Sequence, residues 1–161
     1  MKVEIKPSQA KGRVTAPTSK SIAHRMLIAA ALAEGKSELY GISDCQDVSA
    51  TVECLRALGA RIEIDEAQKL YTVWGVDITN STPTEELFAN ESGSTLRFLI
   101  PLATLTGKKA VFSGAKRLME RPLGVYEKIY AENNLYLKKE DSKMHHVLVC
   151  IQTNHTVDDD D

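Results

Sequence analysis

The 161-residue sequence has no long hydrophobic run, since its longest uninterrupted apolar stretch covers only residues 26–33. A membrane-spanning helix needs about 20 consecutive apolar residues, so none is predicted. Basic residues are not in excess either, because 20 Lys and Arg stand against 22 Asp and Glu. Without a basic block, general nucleic-acid binding has little support. We therefore expect neither a membrane nor a nucleic acid among the partners.

Cysteine is scarce, with Cys45, Cys54 and Cys150 as the complete set. An odd number without a C-x-x-C pair indicates neither a disulfide framework nor a zinc site, and it favours a reducing cytoplasm. We expect small core or surface residues and not nucleophiles. Residues 1–5 lack the apolar segment of a secretory signal, so the mature chain is expected to begin here. The adjacent His145 and His146 are interpreted as structural.

Hydrophobic periodicity and glycine positions predict a mixed α/β chain of one domain. The predicted helices are residues 19–33, 48–58, 93–107 and 123–132. The predicted strands are residues 3–6, 37–40, 61–65, 70–74, 110–113, 135–138 and 144–151. The first helix is expected to be mostly buried, because helix formers and apolar residues fill it. From about Gln152 the chain is polar and ends in four aspartates, so we expect a disordered acidic tail over 152–161.

The chain repeats its plan. Arg97 lies 72 residues after Arg25, and Gly107 lies 72 residues after Gly35. Any α/β chain places helices at intervals, but matching arginine and glycine positions favour an internal duplication. We predict repeat units over about 19–80 and 85–151, within one partial domain over 1–151.

One segment, residues 16–25, runs from a loop into a helix start and carries Lys20, Ser21 and Arg25. A helix N-terminus offers unpaired N–H groups and a positive dipole end, so a lysine and a serine there suit a phosphate or carboxylate. Ser21 and Arg25 are four residues apart and share a helix face. The alternative is a helix start that uses these residues only for capping and solubility.

A second helix start, residues 89–97, contains Gly93, which permits close backbone approach, and Ser94 and Thr95, which can cap the helix or donate to an oxygen. It lacks the Gly-Lys-Ser/Thr ending of a Walker A loop. A plain capped helix start is the alternative, but two such starts in equivalent repeats suggest two anion sites facing one cleft.

A third cluster, residues 116–122, holds Lys116, Arg117 and Arg121 before Pro122, which can open a helix. Arg121 could grip a carboxylate with two hydrogen bonds. A solvated basic turn is the alternative interpretation.

These three segments resemble, in order and spacing, the N-terminal part of the 3-phosphoshikimate 1-carboxyvinyltransferase (EPSP synthase) family. The motifs are Thr-Ser-Lys-Ser-Ile-Ala-His-Arg at 18–25, Glu-Ser-Gly-Ser-Thr-Leu-Arg-Phe at 91–98 and Glu-Arg-Pro-Leu at 120–123. The resemblance covers about residues 2–140. It implies an inside-out α/β barrel built from βαβαββ units, of which this chain would hold about two.

The resemblance also implies the chemistry. The family transfers enolpyruvyl from phosphoenolpyruvate to the 5-hydroxyl of shikimate-3-phosphate, in aromatic amino acid biosynthesis, without a metal or organic cofactor. Lys20 would be catalytic and contact both substrates. Ser21 and Arg25 would bind shikimate-3-phosphate, and Gly93 and Arg121 would bind phosphoenolpyruvate. In the intact enzyme, glyphosate would compete with phosphoenolpyruvate.

The chain also departs from the family pattern. Family members are more than twice as long, and their acid and base residues lie in a second domain, so we expect an inactive or partner-requiring fragment. Glu91 occupies a position where the family commonly has Asn, and a carboxylate there would repel an anion unless it is paired or points away.

Two alternatives stay open. One is the sister enzyme acting on UDP-N-acetylglucosamine, which typically has Lys-Asn at 20–21 and a reactive Cys near 113–121. The other is a non-catalytic binding or interaction module that pairs with a separate C-terminal partner.

Overall fold

The computed structural model describes residues 3–4, 6–7, 9, 11–83, 86–141 and 146–152. Side chains are described up to residue 139, and beyond it only the backbone of residues 140–141 and 146–152 is described. The elements follow in this order: α1 (Lys20–Leu32), β1 (Lys36–Tyr40), α2 (Gln46–Ala57), β2 (Arg61–Asp65), β3 (Leu70–Trp74), a 3-10 turn (Ile78–Asn80), β4 (Leu87–Phe88), α3 (Gly93–Leu105), β5 (Ala110–Ser113), α4 (Lys116–Met119), α5 (Gly124–Glu132), β6 (Leu135–Asp141) and β7 (His146–Gln152).

Helix α1 begins where the sequence predicts. The Ser19 hydroxyl accepts a hydrogen bond from the backbone N–H of Ile22, which satisfies one unpaired donor of the first turn. The helix is followed by Gly35 with a φ of +81°, a conformation that glycine adopts at little cost. Its expected burial is wrong, because Ile22 and Met26 are 62% and 46% exposed. The apolar side chains of α1 are spread around the whole helix, but neighbouring elements cover only one side of it.

The strands form two sheets with related topology. The first sheet has the order β1-β3-β2, and the second has the order β4-β5-β7-β6. The pairs of β3 with β1 and β2, and of β7 with β5 and β6, are all antiparallel. The order β5-β7-β6 therefore corresponds to the order β1-β3-β2, an arrangement that a duplication would produce. The duplication itself and the unit boundaries stay predictions.

Two short elements were missed by the sequence analysis, and one predicted strand is wrong. Strand β4 has only two residues and pairs in parallel with β5, and α4 has four, so neither shows a usable period. Val3, Glu4 and Lys6 are not in a strand, and Ile5 lies outside the described residues. Gln152, where the disordered tail was predicted to begin, is the last residue of strand β7. The rest of that tail, residues 153–161, lies outside the described residues, as does His145.

Three helices meet in the core. Helix α2 packs against both α1 and α3, and its buried side chains join one continuous hydrophobic cluster. Leu27, Val52, Leu96 and Phe112 are almost fully buried there. Because α1, α2 and α3 pack side by side, the beginnings of the helices lie close together, and the predicted site residues lie at two of them.

Within the described part of the chain, no helix is both long and apolar enough to cross a membrane. Cys54 is buried and Cys45 is half-buried, and both are free thiols. Burial raises the pKa of the Cys54 thiol to about 12, so it stays protonated at neutral pH.

Candidate functional site

Lys20 lies in the first turn of α1, and it is held by a carboxylate from α2. Its Nζ donates to Oδ2 of Asp47 across 2.8 Å, and the Lys20 side chain is 55% exposed. The hydrogen bond and charge of Asp47 raise the pKa of Lys20 above its ordinary value. Lys20 is therefore cationic at neutral pH and keeps two N–H donors for another group.

Arg25 lies one turn after Ser21 on the same face of α1. Its Nη1 donates to the backbone oxygen of Ser21 across 2.7 Å, so the predicted pair does share a face. The guanidinium carbon lies 4.9 Å from the centre of the Phe98 ring, which belongs to α3. This stacking joins the beginning of α1 to α3. We name Lys20, Ser21 and Arg25 the first cationic cluster.

Gly93 begins α3, and two guanidinium groups converge on it. A Cβ atom added to Gly93 would lie 2.6 Å from Nη1 of Arg121 and 3.1 Å from Nη1 of Arg97. Among the described residues, neither guanidinium has an ion-pair or hydrogen-bond partner. Two like charges brought together repel each other, and a bound anion would offset this repulsion. We name Gly93, Arg97 and Arg121 the second cationic cluster.

Arg97 was not among the site residues that the sequence predicted. The signal was available, because Arg97 follows Gly93 by four residues, as Arg25 follows Ser21, and therefore lies on the face that begins at the glycine. Lys116 and Arg117, by contrast, are exposed in α4, and Lys116 lies 3.8 Å from Glu120. The solvated-turn interpretation fits these two residues.

Two details of the turns differ from expectation. Ser92, and not Ser94 or Thr95, caps α3, because its hydroxyl accepts from the backbone N–H of Thr95 across 3.1 Å. Pro122 does not open a helix, since α4 precedes it and α5 begins at Gly124. Glu91 is exposed.

A buried hydrogen-bond chain connects α1, α2 and α3, and the sequence analysis did not foresee it. Nδ1 of His24 lies 2.7 Å from Oγ1 of Thr51, which lies 2.7 Å from Oγ1 of Thr95, and Thr95 donates to the Ser92 hydroxyl across 2.7 Å. The Thr95 hydroxyl also lies 3.2 Å from the backbone oxygen of Asp47, which is the alternative acceptor for its single proton. Through Asp47, this chain ties the Lys20 position to the beginning of α3. We name Thr51, Thr95 and Ser92 the hydroxyl chain.

His24 anchors the hydroxyl chain from α1 and is 2% exposed. Burial lowers the pKa of His24, and the nearby Lys20 and Arg25 lower it further, whereas Asp47 acts in the opposite direction. The imidazole is therefore neutral at pH 7. Its role is to hold the helices, not to bind an anion.

Neither cationic cluster lies in the groove between α2 and β4. That groove has a volume of about 660 Å³ and is lined by residues that include Glu53, Arg56, Phe88 and Asn90. No group of three His, Cys, Asp or Glu side chains within the described ranges is arranged to hold a metal ion. The positive charge and N–H donors of the two cationic clusters would suit an anionic ligand.

Comparison with known proteins identifies the family. The family model described as EPSP synthase (3-phosphoshikimate 1-carboxyvinyltransferase) matches residues 5–136. The chain belongs to the EPSP synthase family. The predicted α/β fold of this family is confirmed as well, since an EPSP synthase structure from Acinetobacter baumannii matches with a TM-score of 0.75 and 25% identity. That match covers 87% of this chain and 32% of the other.

Curated EPSP synthase relatives extend well beyond this chain. The 3-phosphoshikimate 1-carboxyvinyltransferase of Clostridium kluyveri is 39% identical over 142 residues, which are 88% of this chain and 33% of the relative. Those of Clostridium perfringens strain SM101 and Clostridioides difficile strain 630 are each 36% identical over 33% of their length. The chain thus spans about a third of the curated relatives that it matches and corresponds to their N-terminal portion.

Proposed function

We propose that this chain supplies one half of the substrate site of an enzyme that transfers enolpyruvyl from phosphoenolpyruvate to the 5-hydroxyl of shikimate-3-phosphate. The observation that carries the proposal is the convergence of the Arg97 and Arg121 guanidinium groups on Gly93 at the beginning of α3. Membership of the EPSP synthase family supports the choice of substrates. The sister reaction on UDP-N-acetylglucosamine has no comparable support.

The first cationic cluster is proposed to bind shikimate-3-phosphate. Ser21 and Arg25 would hold its phosphate and carboxylate, with the free N–H edge of Arg25 as the strongest donor. Lys20 would lie between the substrates and contact both, because Asp47 directs its ammonium toward the side where α2 and α3 begin. Lys20 is the proposed catalytic residue of this chain.

The second cationic cluster is proposed to bind phosphoenolpyruvate. Gly93 leaves space for an anion against the helix N-terminus, and Arg121 would grip the anion with two parallel hydrogen bonds. Arg97 adds a second guanidinium on the same side, so two positive charges would face the phosphate and carboxylate of this substrate. Their charge would stabilise the developing negative charge of the reaction.

The reaction itself needs groups beyond these clusters. The 5-hydroxyl loses a proton and its oxygen bonds to C2 of phosphoenolpyruvate, while C3 gains a proton. Phosphate then leaves C2 and C3 loses a proton, which restores the double bond. The acid and base for these steps are proposed to lie in the C-terminal domain, so the 161-residue chain would bind substrate without turning it over. A cytoplasmic location is part of this proposal.

Isothermal titration of shikimate-3-phosphate into the chain tests the first cluster. We expect Lys20→Ala and Arg25→Ala each to weaken binding by about 10-fold or more, since each removes a charge-assisted hydrogen bond. Lys36→Ala is the matched control, because Lys36 is also an exposed lysine paired with a carboxylate, that of Glu38. Equal binding by all four proteins, or no binding by the folded wild-type chain, would contradict the proposal.

Phosphate release tests the expected need for a C-terminal domain. The chain alone, mixed with phosphoenolpyruvate and shikimate-3-phosphate, should release no phosphate above the background. Release at a rate typical of enzymes, on the order of 1–1000 per second, would show that these residues suffice.

A further inference from the structure

We propose that Phe98 is a positioning residue that holds the Arg25 guanidinium ready for an anionic substrate without neutralising it. The inference rests on the proposed function of the first cationic cluster and extends it to a residue of α3. Its geometric basis is the stacking of Arg25 over the Phe98 ring, with 4.9 Å between the guanidinium carbon and the ring centre. This distance lies within the range of an effective cation–π contact.

The partners of Arg25 leave most of its donors unused. One N–H of Nη1 is donated to the backbone oxygen of Ser21. No carboxylate pairs with Arg25 in the part of the chain that the structure describes. An aromatic ring attracts a guanidinium without accepting conventional hydrogen bonds from it, so the N–H groups that point away from the ring stay available. Arg25 is therefore fixed in direction and still has donors for a phosphate or carboxylate.

Two other cations, Lys20 and Arg61, are held differently. Lys20 is bound to Asp47, so the carboxylate of Asp47 already offsets part of the positive charge that an approaching anion would meet. Arg61 also stacks on an aromatic ring, that of Trp74 at 4.3 Å, but its guanidinium is paired with Glu63 as well. Arg25 has the aromatic contact without the carboxylate. An aromatic face attracts a cation through its quadrupole and carries no net charge that could repel an anion.

The position of Phe98 adds a second consequence. It follows Arg97 directly and lies in the helix that begins at Gly93, so it belongs to the helix of the second cationic cluster. Because Phe98 is half-buried, its ring is held more firmly than an exposed side chain would be. The ring therefore fixes Arg25 of α1 relative to the cations of α3, and the two clusters keep one mutual orientation.

Titration of shikimate-3-phosphate into a set of variants of the 161-residue chain tests this inference. Phe98→Leu keeps an apolar side chain without a ring and should weaken binding by about 3- to 5-fold, the range expected for an exposed cation–π contact. Phe98→Tyr keeps the ring and should bind as the wild type does. Trp74→Leu, which removes the ring at Arg61, is the matched control and should leave binding unchanged.

The double variant Arg25→Ala/Phe98→Leu separates positioning from general damage to the fold. It should bind no more weakly than Arg25→Ala alone, because Phe98 acts through Arg25. A further loss in the double variant, or a Phe98→Leu protein that binds like the wild type while Arg25→Ala is weak, would overturn the inference and leave the proposed function intact. Unchanged binding by Arg25→Ala, or none by the wild-type chain, would instead overturn the proposed function of the cluster.

Discussion

The hydroxyl oxygens of Thr51 and Thr95 lie 2.7 Å apart in the interior, where α2 meets α3. Both threonines are fully buried, and each has the backbone oxygen of Asp47 within reach as a second acceptor, at 3.4 and 3.2 Å. A buried hydroxyl is costly unless it is hydrogen-bonded, so this pair favours the packing of α2 against α3 that brings the two hydroxyls together. Asp47, whose backbone oxygen both hydroxyls reach, is also the residue whose carboxylate binds Lys20.

Thr95→Val tests the contribution of this pair to stability. Valine has the same shape but cannot donate or accept, so Thr51 and Ser92 each lose a buried partner. We expect the free energy of unfolding, measured in urea, to fall by about 1–3 kcal/mol. Thr72→Val is the control, because Thr72 is half-buried on β3 and its hydroxyl has no partner among the described residues. Equal stability of Thr95→Val and the wild type would show that the hydroxyl chain does not contribute to the free energy of unfolding.

The pKa of His24 predicts how stability depends on pH. Burial lowers the pKa of the folded-state imidazole below its ordinary 6.5, so the unfolded chain takes up this proton first. The contribution to stability is therefore complete above about pH 6.5 and is lost as the pH falls through that value toward the folded-state pKa. Urea unfolding at several pH values between 8 and 5 measures the slope.

His24→Asn isolates this effect from that of the carboxyl groups. Asparagine can still form a hydrogen bond with Thr51 but does not titrate, so the variant should lose less stability than the wild type between pH 7 and pH 5. Parallel curves for the two proteins would contradict the role given to His24.

The strands and helices were largely predictable, but the contacts at the site were not. The boundaries of β2, β3 and β5 follow from alternation and from the flanking turns, and they agree with the sequence prediction. Such local patterns do not encode distances between residues that are far apart in the chain. The approach of Thr51 to Thr95 depends on how α2 packs on α3, and their hydroxyls look like ordinary helix residues in the sequence.

The same distinction applies to the arginines. Arg121 was predicted because a motif contains it, whereas Arg97 was assigned only to the repeat. Its role as a neighbour of Arg121 depends on both side chains reaching Gly93 from different elements. A glycine at a helix start signals that space is needed, but the sequence does not say which groups use that space.

The pKa of Lys20 gives a direct test of its pairing with Asp47. The hydrogen bond and the negative charge of Asp47 raise this pKa, so Asp47→Asn should lower it toward the ordinary value of 10.5. The measurement is an NMR titration of the lysine side-chain carbons. Glu38→Gln is the control, since it removes the same kind of partner from Lys36 and should leave Lys20 unchanged.

The stability of the Asp47→Asn variant is expected to stay close to that of the wild type, because exposed ion pairs contribute little. A Lys20 pKa that does not move in Asp47→Asn would mean that the pair does not persist in solution.

Gly75→Ala is expected to impair folding and Gly93→Ala to impair binding, so comparing the two variants separates these effects. At Gly75, a Cβ would lie 1.7 Å from the backbone oxygen of Ala33, so the backbone must move and the variant should be strongly destabilised. At Gly93, the nearest atom is the end of the flexible Arg121 side chain at 2.6 Å, which can turn away, and alanine is the better helix former. Gly93→Ala should therefore unfold close to the wild-type urea concentration but bind phosphoenolpyruvate about 10-fold more weakly in a calorimetric titration, because Arg121 and the anion lose the same space. A Gly93→Ala protein that binds normally would show that the space at the beginning of α3 serves only the packing of the arginines.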